Sequence, residues 1–491
     1  MTKKIIFRAD GNSKTGLGHL YRLFAVVDML KTQYEFVLVT RVDSTLSVIP
    51  SEYDVIQIPE NISISNETEW LAQNFDSSEH IVVADGYQFK SSYQKQIKKL
   101  GFQLVYIDDL IELHMYADVI INHAPDIDEK NFLSEKYTKF GLGTKYALLR
   151  QSFLTQARES KKVNVLDSLF VCFGGADKYD LSLKVAKAAV KISKIKEIHI
   201  VLGGAYKKQE IYDFQKEHQS NLILHDGLSE PELVNIMNLC NFAVAPTSTI
   251  FYELCSIKMP ILGGYYVKNQ ERIYESMSSK DVLYKAGDFS KYSVLDFENK
   301  LSALMDEPRA GDYVQNQKNL FDGKSDIRIL GLINSLNISF RKAVKTDLEL
   351  TYEWSNDELV RKNSFNSEQI SLDDHSNWFM KKIIDNDNLF LIVQVNEVPA
   401  GVVRYELKGE NAVVGVSIQN EFRGQGLATE FLIKSAELYF SKYDKPIFAF
   451  IKKRNGASIK AFEKAGYSLI GEKLIMKEAS FVYKLETSHG I

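Results

Sequence analysis

Cysteine is scarce, neither sign of charge prevails, and long hydrophobic runs are missing. The three cysteines, Cys172, Cys240 and Cys255, are an odd number, widely spaced, each in or beside an apolar run. That pattern offers neither a disulfide framework nor a paired metal-ligand spacing, and it suits a reducing compartment. No stretch approaches the roughly 20 apolar residues of a membrane span. The opening, MTKKIIFRADG, passes into a short strand without the apolar core of a secretory signal. These absences point to a cytoplasmic protein with no membrane partner. Lys plus Arg (60) nearly balances Asp plus Glu (64), leaving a formal charge of -4. With no basic field to hold a polyanion, nucleic acid is not expected as a partner. Low-complexity segments are absent, and no internal repeat shows beyond a broad likeness of architecture between two α/β halves.

At 491 residues, 45% hydrophobic and 25% charged, the chain can bury two or three ordinary cores. Short β-rich runs alternate with longer amphipathic ones at Ile5 to Phe7, Phe36 to Thr40, Ile81 to Ala84, Leu104 to Ile107 and Val119 to Asn122. After the charged stretch Arg158 to Val163 a second series follows: Leu169 to Phe173, Ile198 to Leu202, Leu222 to Leu224, Phe242 to Ala245 and Pro260 to Leu262. Such alternation predicts parallel sheets covered by helices, with a ligand cleft at the carboxyl ends of the strands. Near Ile333 to Phe340 the character changes to mixed α+β, with runs at Leu389 to Val395, Val402 to Leu407 and Val413 to Ile418. The predicted domains are residues 1–158, 159–333 and 338–491.

Residues 8–22, RADGNSKTGLGHLYR, lead through a Gly-rich turn into a helix with apolar residues at 20, 23, 24, 27 and 30. Glycines at 11, 16 and 18 let backbone approach a ligand closely, and the free amides of a helix start favour phosphate or a developing anion. His19, at that mouth, can take a proton from water near neutral pH; the plainer reading is a local cap. The segment resembles the start of the UDP-sugar hydrolases of the pseudaminic acid pathway. The resemblance spans about the first 280 residues, loosely between motifs. It implies that His19 activates water for inverting hydrolysis, with Asp10, Gly16, Gly18 and Arg22 beside the UDP-sugar. Asp85-Gly86-Tyr87 and Gly174-Gly175-Ala176-Asp177 agree with it and add Tyr87, Gly174 and Gly175.

Residues 246–253, PTSTIFYE, resemble the nucleotide-diphosphate motif of glycosyltransferase-B folds. By that resemblance Ser248 and Thr249 meet phosphate and Glu253 accepts from ribose hydroxyls, although Ser-Thr followed by Glu is also an ordinary helix start. Lys268-Asn269-Gln270 resembles the hydrolases' segment whose amide side chains, here Asn269 and Gln270, hold sugar and water; turn residues are the alternative. His114 and His123 read as surface or packing, and no metal is expected.

Arg423-Gly424-Gln425-Gly426-Leu427-Ala428 follows the run ending at Ile418 and precedes an amphipathic helix. Glycines there let amides converge on a pyrophosphate at a helix start. Asn455 to Tyr467, NGASIKAFEKAGY, follows Ile447 to Ile451. Both segments resemble the GNAT acetyltransferase superfamily. That resemblance implies acetyl-CoA as cosubstrate, held by Ile418, residues 423–428, Asn455 and Ser458. Where many GNAT enzymes carry a tyrosine as general acid, this chain has Phe462; Tyr467 is a substitute to consider, and Glu406 and His375 are conceivable bases beside structural readings. Residues 343–357, with Trp378 and Phe379, resemble the sugar-amine acetyltransferase of the same pathway and its ribosomal-protein-acetylating relatives.

The expected fold is therefore α/β, a glycosyltransferase-B-like pair of Rossmann-type domains followed by an α+β GNAT domain. The expected activity joins N-acetylation of a UDP-4-amino-4,6-dideoxy sugar to removal of its UDP. Three alternatives stay open: a glycosyltransferase in the first part, a protein or peptide N-acetyltransferase in the last, or one half serving as a non-catalytic sugar-binding module.

Overall fold

A computed structural model describes residues 3–12, 16–159, 165–306, 309–385 and 387–486. Residues 13–15 of the Gly-rich turn and 160–164 of the charged stretch, where the first domain boundary was expected, lie outside the described residues. The chain divides into two compact units, Lys4–Asp326 and the chain from Ile327 onward. No described helix is long and apolar enough to cross a membrane.

In the first unit the strands are β1 (Lys4–Ala9), β2 (Phe36–Arg41), β3 (Val55–Ile58), β4 (His80–Asp85), β5 (Gln103–Ile107), β6 (His114–Met115), β7 (Val119–Asn122), β8 (Leu133–Ser134) and β9 (Lys139–Leu142). Strands β6 and β8 pair with each other; the rest form one sheet in the order β3-β2-β1-β4-β5-β7-β9, parallel throughout. A second sheet holds β10 (Ser168–Val171), β11 (Glu197–Leu202), β12 (Leu222–Asp226), β13 (Phe242–Pro246), β14 (Ile261–Tyr265) and β15 (Tyr284–Asp288). Its order is β12-β11-β10-β13-β14-β15, again parallel. Helices cover both faces of such sheets, so the central strands carry apolar residues on both sides through their middles: Ile5, Ile6, Phe7, Leu169, Phe170 and Val171 are fully buried. Strand order reverses at β1/β4 and at β10/β13, and each reversal opens a crevice at the carboxyl ends.

Beneath the first crevice lies a buried ion cluster. Arg8, 0% exposed, donates to both carboxylate oxygens of Asp10 and both of Glu67, and Tyr93 donates to Glu67 at 2.8 Å. Asp10 also accepts from Thr40, from the Arg41 amide and from Gln88. These bonds fix the loop after β1 to the end of β2 and to the loop after β4.

The second unit holds β16 (Ile338–Lys342), β17 (Asn388–Val395), β18 (Val398–Lys408), β19 (Asn411–Ile418), β20 (Ile447–Lys452), β21 (Ser468–Ile475) and β22 (Glu478–Leu485). They form one sheet in the order β16-β17-β18-β19-β20-β22-β21. All neighbours are antiparallel except β19 and β20, which run parallel and pair only at Ala412↔Ile447 and Val413↔Phe448. Beyond that point they splay. The helix Leu427–Phe440 packs on one face through Leu427, Phe431, Leu432, Ala436 and Tyr439; Trp354, Trp378 and Phe379 cover the other with Phe390 and Ile392.

Candidate active sites

The helix Gly18–Leu30 buries Leu20, Leu23, Phe24, Val27 and Leu30. That spacing leaves His19 and Arg22, three residues apart, together on the side facing the strand ends. Asp85, the last residue of β4 and 0% exposed, meets them both. Its Oδ1 lies 2.7 Å from His19 Nδ1, and Arg22 donates to both of its oxygens, Nε to Oδ2 at 2.6 Å. A carboxylate only accepts, so His19 Nδ1 carries the proton and Nε2 is left with its lone pair. The Arg22 nitrogen 3.1 Å from Nδ1 is then a neighbour and not a donor to it.

Arg22 reaches on to Asp109 at 3.0 Å, and the Tyr87 hydroxyl donates to the same oxygen at 3.1 Å. The Tyr87 ring stands edge-on to His19 with centroids 4.6 Å apart. Burial works against the charge on Arg22, but Asp85 and then Asp109 outweigh it, so its pKa is raised. Burial, followed by Asp109, raises the pKa of Tyr87.

His123, just past β7, had read as surface or packing. Packing is what the structure shows: half-buried, with its ring against Tyr252, it also stands within electrostatic reach of Arg22, Asp109 and Asp85, and burial followed by the Arg22 charge pushes its pKa down to about 4. Its Nδ1 accepts from the Leu148 amide, so Nε2 holds the proton. His114, by contrast, pairs with Glu135 at 2.9 Å in the open.

The carboxyl edge of the second sheet meets this cluster through the helix Thr249–Ile257. Its Tyr252 donates to the carbonyl of His123 at 3.2 Å, and the two rings lie 5.3 Å apart. Ser248 is the N-cap of that helix without a side-chain cap bond; its carbonyl takes the Phe251 amide, which leaves the Thr249 and Ile250 amides for a ligand. Glu253, one turn on, is buried, and both bonds from Arg150 go to its Oε1; burial raises its pKa despite Arg150. Gly174 has φ +81°, and a Cβ on Gly203 would lie 2.3 Å from the Gly174 carbonyl, so the loops after β10 and β11 touch backbone to backbone. Gln270 is buried, accepting from the Tyr266 amide with its side chain, while its backbone carbonyl takes the Thr247 hydroxyl. Asn269 is exposed in the first helical turn beside it. Gly16 has φ +83°, and Gly18 begins its helix with open space around it.

In the second unit, the splay of β19 from β20 opens a cleft of about 290 Å³. Ile418, Arg423, Ala428, Asn455 and Ser458 line it. Gly424 and Gly426 both have positive φ, which glycine adopts without strain. Gly426 is the N-cap of Leu427–Phe440 without a side-chain cap bond, so no side chain caps the first-turn amides of that helix. Leu427 is buried in the core. Arg423 is held by Asp357 at 2.8 and 3.2 Å and donates to the Ile418 carbonyl; Asp357, whose pKa that pairing lowers, also caps the helix Glu358–Asn363. Asn455 accepts from the Ser458 amide. Gln425 accepts from Asn334, on a helix whose Gly331 abuts the Gln425 carbonyl.

Phe462 lines the cleft, but Tyr467 does not. It is 3% exposed, stacked edge-on to Phe462, and its pKa is raised by burial and by Tyr405, so the core takes the residue suggested as an acid. His375 is likewise buried, with Nε2 3.1 Å from Thr351 Oγ1, and Glu406 is shared between Arg404 and Lys382.

Asp109 and His123, which the sequence had not placed in the site, lie two residues past β5 and directly after β7; position at a carboxyl strand end was the available signal. Asp357 and Arg150 carry no such mark, since only the tertiary contact defines them.

Residues 337–468 match the acetyltransferase (GNAT) domain family, and the chain thus carries a GNAT domain behind its two parallel sheets. Over 293 residues it is 27% identical to the UDP-2,4-diacetamido-2,4,6-trideoxy-beta-L-altropyranose hydrolase of Campylobacter jejuni, covering 57% of this chain and 99% of that one. The spore coat polysaccharide biosynthesis protein SpsG of Bacillus subtilis is 21% identical, over 67% of this chain and 97% of its own. An uncharacterized protein of Methanocaldococcus jannaschii matches at 22% identity over 94% of this chain and 96% of its own.

Proposed function

We propose that the chain N-acetylates a UDP-linked 4-amino-4,6-dideoxy sugar and then hydrolyses UDP from the product, UDP-2,4-diacetamido-2,4,6-trideoxy-β-L-altrose, in pseudaminic acid synthesis. The observation that carries the hydrolytic half is the Asp85–His19 pair, 2.7 Å apart, at the reversal of strand order in the first sheet. The similarity to the Campylobacter hydrolase supports the choice of substrate. In this reading the two parallel sheets are a glycosyltransferase-B-like pair. Domains 1–158 and 159–333 supply the base and the UDP site, and 338–491 the acetyltransferase.

Asp85 holds the imidazole with Nε2 toward solvent, where it removes a proton from water. The water oxygen bonds to the anomeric carbon as the bond from that carbon to the UDP oxygen breaks, so UDP leaves with the electron pair and the configuration inverts. The proton on His19 returns to solvent. The open amides after Ser248, with Thr249 and the loop Gly174-Gly175, take the charge that develops on the diphosphate. Glu253 Oε2, not engaged by Arg150, is offered to the ribose. Tyr87, Arg22, Asn269 and Gln270 shape the sugar end; Asp10 and Arg8 hold the Gly-rich turn in place.

In the second unit the donors match acetyl-CoA. Positive-φ glycines at 424 and 426 beside an uncapped helix start suit a pyrophosphate, and the splayed strands provide a slot for the pantetheine between Ile418, Asn455 and Ser458. When bound, acetyl-CoA supplies an activated acetyl group that passes to the sugar amine with release of the thiol. Arg423, tied to Asp357, keeps the loop in register. Phe462 gives no proton, so the leaving thiolate takes one from solvent or substrate.

Incubating purified protein with the UDP-4-amino sugar, with and without acetyl-CoA, tests the reading. Thiol release should precede UDP release, and His19→Ala should accumulate the acetylated UDP-sugar. Thiol release with no UDP from the wild type would overturn the hydrolase. UDP release only with a sugar acceptor would make it a glycosyltransferase, and preference for peptide amines would overturn the acetyl acceptor.

A further inference from the structure

Arg404 lies on β18 directly opposite Gly415 of β19, and Gly415 belongs to the wall of the acetyl-CoA cleft. Its guanidinium is pinned twice. The Trp378 ring lies beneath it, 4.9 Å from Cζ to centroid, and Nε stands 2.9 Å from Glu406 Oε1. The first is a contact with the face of the guanidinium and the second an ion pair at Nε without hydrogen-bond geometry. Among the described residues neither terminal nitrogen has an acceptor, and the side chain remains 30% exposed. An added Cβ on Gly415 would stand 3.5 Å from Nη2, so the guanidinium lies over the strand and a glycine there keeps the space between them open.

The local charge is not balanced. Glu406 is shared with Lys382 at 3.4 Å, giving two cations to one carboxylate. Burial lowers the pKa of Arg404 and Glu406 recovers only part of it, the mark of a cation still short of a counter-charge. A planar, pre-oriented guanidinium with its outer nitrogens free is suited to bidentate contact with phosphate or carboxylate oxygens.

We infer that Arg404 binds the diphosphate of the acetyl acceptor, so that the GNAT domain selects nucleotide-linked amines over free ones. This rests on the acceptor class proposed above. In such an acceptor the diphosphate and the reacting amine are separated by one pyranose ring, and Arg404 stands over Gly415 of the cleft wall. Trp378 and Glu406 are positioning residues for it. The consequence is an order of events: acetylation before UDP is removed, because the free sugar lacks the anion that Arg404 holds.

The test uses the full chain carrying His19→Ala, so that UDP stays attached, and measures acetyl-CoA-dependent thiol release with the UDP-4-amino sugar and with the same amino sugar lacking UDP. The parent should favour the UDP-linked amine. Arg404→Gln should lower kcat/KM for that substrate about 10- to 100-fold, mainly through KM, as expected for loss of charge-assisted hydrogen bonds. The free sugar and the KM for acetyl-CoA should move less than about two-fold, and Arg404→Lys should restore part of the loss. Equal rates of the parent on both acceptors, an equal loss on both, or no loss on the UDP-linked amine would each overturn the inference while leaving sugar acetylation in place. Failure of the parent to acetylate either sugar, with activity on acidic peptides instead, would overturn the acceptor class and this inference together.

Discussion

Replacing Asp85 by Asn tests the proposed hydrolytic site at its least exposed point. The carboxylate does two things: it accepts from His19 Nδ1 at 2.7 Å and holds Arg22 through both oxygens. An amide can turn its NH2 toward Nδ1, which then accepts and shifts the imidazole proton to Nε2, where the base is needed. In serine-protease Asp–His pairs the same change costs about 10⁴-fold in turnover. Water is a poorer nucleophile than a held hydroxyl but equally dependent on the Nε2 lone pair, so UDP release should fall about 10³- to 10⁴-fold, or roughly 4–5 kcal/mol of barrier. Stability should fall less than the roughly 3–5 kcal/mol typical of a broken buried pair, because Arg22 keeps Asp109 at 3.0 Å. Stopped-time assay of UDP, with thermal unfolding of the same sample and acetyl transfer as the internal control, gives the answer. The double variant with His19→Ala should be no slower than His19→Ala alone, since the two residues act as one unit. UDP release within ten-fold of wild type in a folded protein would refute the pairing as the source of the base.

Gly331→Ala would place a Cβ 1.9 Å from the Gln425 carbonyl oxygen. Backbone must shift there, so KM for acetyl-CoA should rise about ten-fold and stability drop by about 1–3 kcal/mol, with UDP release unchanged; an unaltered KM would show that the helix does not support the loop. His123 has its pKa depressed to about 4 against an unfolded value near 6.5. Well above that unfolded value it is neutral in both states and costs nothing; as pH falls through it toward 4 the unfolded chain gains a proton that the folded one refuses, and up to roughly 3 kcal/mol is lost. His123→Gln should flatten the stability profile between those limits, and an unchanged slope in urea unfolding would place the effect elsewhere.

The central strands were legible because both faces of a parallel sheet are buried, which makes continuous apolar runs such as Ile5 to Phe7 and Val119 to Asn122. Strands β3, β15, β16 and β21 were not, since partial or full exposure gives them mixed composition. His19, the glycines before it and the loop 423–428 stood out in the sequence as site candidates because turns that face a ligand need particular residue types at fixed spacing. What the sequence could not hold was the company each keeps. That Asp85 rather than a nearer acid orients His19, that Arg423 is committed to Asp357, that His123 joins the cluster and that Tyr467 is spent on the core all depend on strand order and on side chains distant in sequence. Local pattern determines where a helix starts and which face is apolar; only the tertiary structure decides which buried charge finds which partner, because a desolvated charge takes whatever compensation the packing brings within reach.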